Sequence, residues 1–218
     1  MNTTPTAVRL LAVLGASLVA LAGCTTQFEA ESSIPTPLVE KIPIVVGVYL
    51  SPDFHTRVYN EERQGGDYTI AIGKAQSEGF MRLMDALFEQ AIPVDATDAG
   101  ARTDPRIRGV IEPVLEDFAF VTPAESGTGA YAVSLRYKVT GYRPDGQIVD
   151  SWTFTGYGAA QNEGLLPGGD EPMRKAVRLA LRDAGAKLAT ELRDQAVVRG
   201  LMPSSGAAPA PVEVTPPP

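Results

Sequence analysis

Residues 130–157, AYAVSLRYKVTGYRPDGQIVDSWTFTGY, restrict the fold of this chain more than any other segment. Tyr131, Val133, Leu135, Tyr137 and Val139 alternate with Ser134, Arg136, Lys138 and Thr140. A period of two sends the first set to one face of a strand and the second set to the other. A strand of that kind belongs to an antiparallel sheet with one wet face. Arg143-Pro144-Asp145-Gly146 follows. Proline presets φ at the second position of a turn, and glycine supplies a left-handed residue at its end. Ile148 to Tyr157 then runs back as the partner strand, with Trp152 and Phe154 on the face of Ile148.

The remaining elements are built around this hairpin. Ile44 to Leu50, IVVGVYL, is a short apolar run rich in β-branched residues and reads as a buried strand that Pro52 ends. The polar stretch from Asp53 to about Lys74 is long for a compact domain. It either hides a hairpin, with a further strand over 68–72, or is itself functional. Ala75 to Ala91 reads as a helix, because Phe80, Leu83, Met84, Leu87 and Phe88 recur at intervals of three and four. Pro93 stops it, and residues 95–106 read as a polar loop.

Ile107 to Val121 reads as a long strand in which both phases are apolar in part. Pro113 argues for an edge position, and a register change near it accounts for the doubling. Asp170-Glu171-Pro172 opens the last helix, with aspartate as the cap and proline in the first turn. Met173, Val177, Leu181, Ala184, Leu188 and Leu192 form its stripe. The order strand, helix, long strand, hairpin, helix predicts an α+β two-layer sandwich. Its sheet is mostly antiparallel, and two principal helices cover one face. The predicted domain occupies residues 44–200, and no internal repeat is present.

The two ends differ from this body. Residues 24–43 hold three prolines among polar side chains and read as a tether. Residues 201–218 are rich in proline and alanine and read as an extended tail. Residues 1–23 have the layout of a secretory signal: a short polar start with Arg9, then LLAVLGASLVALA from Leu10 to Ala22. That run of 13 residues is about 20 Å long as a helix, against a hydrocarbon core of roughly 30 Å. The lone cysteine of the chain, Cys24, follows it.

Leu21-Ala22-Gly23-Cys24 resembles the lipobox of bacterial lipoproteins. The resemblance implies that Cys24 receives a diacylglycerol thioether and that the leader is cut before it. It also implies a third acyl chain on the new amine. Two acyl chains anchor a protein stably, each buried methylene adding about 0.8 kcal/mol. In that family an aspartate after the cysteine retains the protein in the inner membrane. Thr25 stands there instead, which implies the outer membrane, with the body in the periplasm.

Composition excludes several function classes. The whole chain carries a net charge of −7. Loss of Arg9 with the leader leaves 18 basic and 26 acidic side chains, a net charge of −8. An acidic body disfavours nucleic acid and flat docking on anionic lipid. One histidine and one cysteine make a His/Cys metal cluster implausible, and no cofactor motif is present.

Catalytic candidates are few. His55, the single imidazole, lies in the loop after the first strand, and no Gly-x-Ser-x-Gly elbow exists to pair with it. Glu112 and Glu116 lie about 13 Å apart along a strand, beyond the roughly 5–9.5 Å that glycosidase carboxylates need. A phosphate loop at Ile72-Gly73-Lys74 lacks its first glycine, since Tyr68 stands there. Gly156, Gly158, Gly164, Gly168 and Gly169 lack dinucleotide spacing and read as a flexible loop. Tyr131, Tyr137, Trp152, Phe154 and Tyr157 either line a groove for an acyl chain or a peptide or, more commonly for such clusters, fill the core face.

The mature body resembles a class of periplasm-facing lipoproteins with small α+β domains. The class includes the YajG-like lipoproteins, the auxiliary lipoproteins of lipid-transporting ABC systems, and the N-terminal part of the curli secretion lipoprotein. The resemblance rests on Ile44–Tyr49 before a helix and on the Tyr131–Gly158 hairpin before a final helix. It carries no catalytic residue. The expected function is therefore a non-enzymatic accessory or scaffold in an envelope assembly or transport system. The membrane is bound through lipid on Cys24 and an envelope protein is the partner. A lipid- or peptidoglycan-binding module is the alternative, and a hydrolase ranks behind it. The expected contact residues are Phe54, His55, Tyr59, Trp152 and Tyr157.

Overall fold

A computed structural model describes residues 25–64, 66–161 and 170–201. The leader 1–23, Cys24, Gly164, Gly168, Gly169 and all of the tail beyond Leu201 lie outside the described residues. The strands are β1 (Thr25–Glu29), β2 (Ile42–Tyr49), β3 (Val58–Arg63), β4 (Gly66–Ala71), β5 (Phe88–Val94), β6 (Ile107–Val121), β7 (Ala130–Tyr142) and β8 (Ile148–Gln161). The helices are α1 (Pro52–Thr56), α2 (Gly73–Leu87), α3 (Gly100–Thr103), α4 (Pro123–Ser126), α5 (Glu171–Glu191) and α6 (Ala196–Arg199).

The main sheet has the order β5-β2-β6-β7-β8, and a smaller one has the order β1-β4-β3. β6, β7 and β8 are antiparallel over long registers, whereas β2 pairs in parallel with both β5 and β6. The fold is the predicted α+β sandwich. One layer is the main sheet. The other is made of α2, α5 and the small sheet, which share a single core with it. Leu135, Tyr137, Val139 and Phe154 face the helical layer, and the predicted stripe Met173, Val177, Leu181, Ala184 and Leu188 of α5 is buried, as is Leu192 just past its end. Beyond the helices, Tyr59 stacks on Phe118 with centroids 4.4 Å apart and Tyr68 lies 5.0 Å from Phe120, so the small sheet covers the far half of β6. On the opposite face Val45, Ile107 and Val110 form a minor cluster beside Gly100.

The hairpin forms as its pattern dictates. The Gly146 amide donates to the Arg143 carbonyl at 2.9 Å, and Gly146 takes φ +87°. Val149 rather than Ile148 packs on the core, because the register shifts between Gly141 and Tyr142 and leaves Ile148 exposed. The polar stretch 53–74 does hide a hairpin, β3–β4, preceded by α1.

Several expectations are corrected. The helix predicted over 75–91 ends at Leu87, and Phe88 opens β5. Leu87 and Phe88 are both buried, so an apolar pattern spans the switch from helix to strand. Pro93 sits in β5, an edge strand, where a residue without an N–H is tolerated. The register change in β6 falls at Glu116, between Leu115 and Asp117. Ile111, Pro113 and Leu115 point inward before that bulge, and Phe118 and Phe120 after it. Pro113 lies in a central strand, but pairing with β2 ends at Ile111, so its missing N–H faces an unpaired side. Asp170 makes no capping bond; its carboxylate accepts from the Arg174 guanidinium.

The predicted tether is also structured in part. β1 pairs in parallel with β4 from Thr25 to Glu29, with Phe28 and Ala30 buried. Residues 30–41 then cross the outer side of the helices as a strap. Two helical glycines make room for it: a Cβ on Gly79 would stand 2.7 Å from Ile34 Cδ1, and one on Gly185 would stand 2.6 Å from Ile34 Cγ2. At the other end Leu201, the first residue of the predicted tail, is buried against Gly109.

Candidate functional site

The residues expected to form a contact surface do not converge. Phe54 is core: its ring meets Phe80 at 6.2 Å and Tyr137 at 6.4 Å, and it is buried. It follows Ser51, which accepts its amide at 3.2 Å and caps α1. His55, next on the same short helix, is exposed. Tyr59 is half-buried on Phe118, and the Arg57 guanidinium lies 5.8 Å from its ring centre. Burial raises its hydroxyl pKa above 10.0, and Arg57 opposes that rise. Trp152 is half-buried and stacks on Phe154 at 4.6 Å. Tyr157 is 62% exposed, with the Lys187 ammonium 4.9 Å from its ring centre. Phe54 and Trp152 belong to one aromatic row through Tyr137 and Phe154, Tyr59 belongs to a second, and Tyr157 faces solvent.

The core row has one polar element that the sequence reading missed. Gln76 is buried and donates through Nε2 to the Phe54 carbonyl at 2.7 Å. Its Oε1 accepts from the Tyr137 hydroxyl at 3.1 Å. Burial drives the Tyr137 pKa far above 10.0. The void beside this row is about 10 Å³, close to the limit for one water molecule. A void of that size is too small for an acyl chain.

The carboxylates and glycines weighed in the sequence have structural partners. Glu112 accepts from the Tyr142 hydroxyl at 2.6 Å, and burial and this bond push the Tyr142 pKa up to about 12. Glu116, in the β6 bulge, lies 3.5 Å from Arg136 Nε. Gly73 lets α1 approach, since a Cβ there would stand 2.2 Å from the His55 carbonyl oxygen. Gly156 and Gly158 are strand residues, not loop: a Cβ would stand 2.3 Å from the Ala180 oxygen and 2.1 Å from the Ala176 oxygen. Their glycines and the alanines of α5 bring helix and strand together.

Three surfaces are placed where a partner could reach them. The outer face of β6, β7 and β8 carries rows such as Val114-Lys138-Thr153 and Asp117-Arg136-Thr155. Two clefts flank the strap. One, of about 520 Å³, is lined by Glu29, Ser32, Lys74, Glu78, Arg82 and Arg174. Within it Lys74 lies 3.4 Å from Glu29, and Arg82 donates to Ser32 Oγ at 2.6 Å. The other, of about 400 Å³, lies between Val39–Ile42 and the end of α5.

The edge of the main sheet is partly closed. The Tyr157 amide donates to Asp183 at 2.9 Å, and Lys187 donates to the Thr155 carbonyl. Burial opposes ionisation of Asp183, but the Tyr157 amide and Lys187 outweigh it and hold the carboxyl below 3.8. Among the described residues no group of acidic, His or Cys side chains is placed to hold a metal ion. Among them, too, no helix is long and apolar enough to cross a membrane.

No family model matches the chain, and no curated protein matches it. Solved structures with a similar course exist. A DUF330 protein from Xanthomonas campestris is 12% identical, with a TM-score of 0.46 over 76% of this chain and 91% of that one. A minor lipoprotein from Acinetobacter baumannii is 11% identical, with a TM-score of 0.41 over 75% and 96%. A homolog of neuraminyllactose-binding hemagglutinin from Helicobacter pylori is 10% identical, with a TM-score of 0.45 over 79% and 97%. Likeness at this level assigns no activity.

Proposed function

We propose that this chain is a non-enzymatic lipoprotein held by acyl groups on Cys24 at the periplasmic face of a bacterial outer membrane. There it serves as an accessory or scaffold of an envelope assembly or transport system. The observation that carries this reading is the lipobox Leu21-Ala22-Gly23-Cys24, followed directly by a strand of the folded body. Thr25 in place of aspartate supports the outer membrane. The titratable groups support a scaffold rather than a reaction centre: Glu112, Glu116, Asp183 and Lys187 are each engaged in holding the sheet or its edge.

The partner is an envelope protein that meets the outer face of β6–β8. That surface carries charges of both signs, with Asp117 beside Arg136 and Lys138 on the same face, as rim contacts of transient interfaces do. In-cell cross-linking and affinity recovery of the tagged wild type beside Cys24→Ser test the proposal. A defined set of envelope proteins, lost in the variant, is expected. Recovery of the same set with the unanchored variant would remove the anchor from the function. Recovery of bound lipid or muropeptide in place of any protein would favour the binding-module reading.

A further inference from the structure

Resting on the reading of Cys24 as the lipid-bearing residue, we infer that one named end of the body lies flush against the bilayer. That end is built from the start of β1, the β3–β4 turn and the Thr122–Gly129 connection. A lipoprotein body usually moves freely when a flexible stretch separates it from its anchor, because such a stretch behaves as a random coil. Here no such stretch exists. Thr25, one Cα step of about 3.8 Å beyond Cys24, is already registered with Asp67 of β4.

The attachment of this first segment to the body is continuous. Four further pairs follow along β1, ending at Glu29 with Ala71. The Ala30 amide donates to the Ala71 carbonyl at 2.8 Å. Phe28 is buried beneath the Arg174 guanidinium, 4.7 Å from its ring centre, and Arg174 also donates to the Glu29 carbonyl at 3.0 Å. Ile34 then fills the notch between Gly79 and Gly185.

The neighbours of Thr25 define the end. Asp67 lies beside the β3–β4 turn, where Arg63 pairs with Gly66. The Thr122 hydroxyl donates to the Gln64 carbonyl of that turn at 3.0 Å. Arg63 is committed to Glu61 at 2.7 Å and to Glu125 at 3.7 Å. The connection Thr122–Gly129, TPAESGTG, contains no lysine or arginine. Attraction to anionic headgroups therefore does not hold this end down, and the covalent anchor with its absent slack does. The turn Arg143–Gly146 lies at the other end of β7, about 40 Å away for 13 residues of strand. It points away from the membrane.

The test uses the full lipidated chain in vesicles of phosphatidylethanolamine and phosphatidylglycerol that carry a headgroup nitroxide. Acylation blocks Cys24, so a cysteine introduced by Ala124→Cys or by Gln147→Cys offers a unique thiol for a fluorophore. Mass measurement first establishes the acyl groups. Quenching of the label at 124 and full emission at 147 are expected. Inserting a flexible Gly/Ser spacer between Cys24 and Thr25 should abolish the quenching at 124. Equal emission at the two positions in the acylated protein, or quenching that survives the spacer, would overturn the orientation while leaving the anchor intact. An unacylated Cys24 would overturn the anchor itself, and the orientation with it.

Discussion

Asp183 on the final long helix accepts the Tyr157 backbone amide at 2.9 Å, and so occupies a donor that an edge strand would otherwise offer to a second chain. One helical turn further, Lys187 lies 3.0 Å from Asp183 and takes up the Thr155 carbonyl. A long edge strand is a template for unwanted pairing, and this i,i+4 pair closes its middle. The double variant Asp183→Ala/Lys187→Ala is expected to keep the fold and to self-associate at concentrations where the wild type is monodisperse, read by light scattering. The guard also depends on acid. Because the folded carboxyl lies below the unfolded value of 3.8, its contribution is complete above that value and is lost as pH falls through the lower folded one.

Much of the fold was legible, and its limits have physical causes. β7 has the predicted bounds because its period of two runs unbroken through Val139, and β6 has them because apolar residues recur along its whole length, although the bulge at Glu116 changes the inward phase. The parallel half of the sheet was not visible, because β2 finds β5 and β6 through distant sequence and no turn signal marks either pairing. β1 was hidden among polar residues beside prolines, where only Phe28 and Ala30 face inward. The strap left one sign in the sequence: Gly79 and Gly185, each in the middle of a helix that glycine weakens by about 1 kcal/mol. Of the surface candidates, Phe54 failed because its helix caps inward, a fact of tertiary packing rather than of pattern.

Gly158 should tolerate no side chain. Its Cβ would meet the Ala176 carbonyl oxygen at 2.1 Å, and that oxygen belongs to helix backbone, which moves only if the whole helix moves. Overpacking of a tight contact costs about 1–3 kcal/mol. Gly158→Ala is expected at or above the upper part of that range by chemical denaturation, while Ala159→Gly, on the exposed side of the same strand, should cost far less.

Gln76 links the Phe54 carbonyl to the Tyr137 hydroxyl within the core. Gln76→Leu removes both bonds and leaves a buried carbonyl and a buried hydroxyl unpaired, a loss of about 1–3 kcal/mol for such groups. The double variant Gln76→Leu/Tyr137→Phe should recover part of that loss, because the hydroxyl is gone. A fully additive double variant in equilibrium unfolding would show that the two side chains are not coupled.

Ile34 is the side chain of the strap that fills the notch between Gly79 and Gly185. Ile34→Ala is expected to cost about 1–2 kcal/mol, below the 2–5 typical of fully buried isoleucine. It should also speed proteolytic cleavage within residues 30–41 before any cut in the body. Cleavage that begins elsewhere at an unchanged rate would show that the strap is held by its backbone bonds instead.

Tyr142 should ionise late. Burial and the bond to Glu112 raise its pKa to about 12. The stability it lends is present below the unfolded value of 10.0 and fades as pH rises through the folded one. Difference absorbance of wild type against Tyr142→Phe should place the missing phenol above the bulk of the tyrosine titration. Glu112→Gln should move that phenol down.

Cys24 carries the central claim, and intact-mass and peptide analysis of the membrane-extracted mature protein tests it most directly. The account predicts an N-terminal peptide that begins at Cys24, bears a diacylglycerol thioether, and is lost in Cys24→Ser. A mature chain that retains residues 1–23, or one cut elsewhere with a free Cys24 thiol, would contradict it.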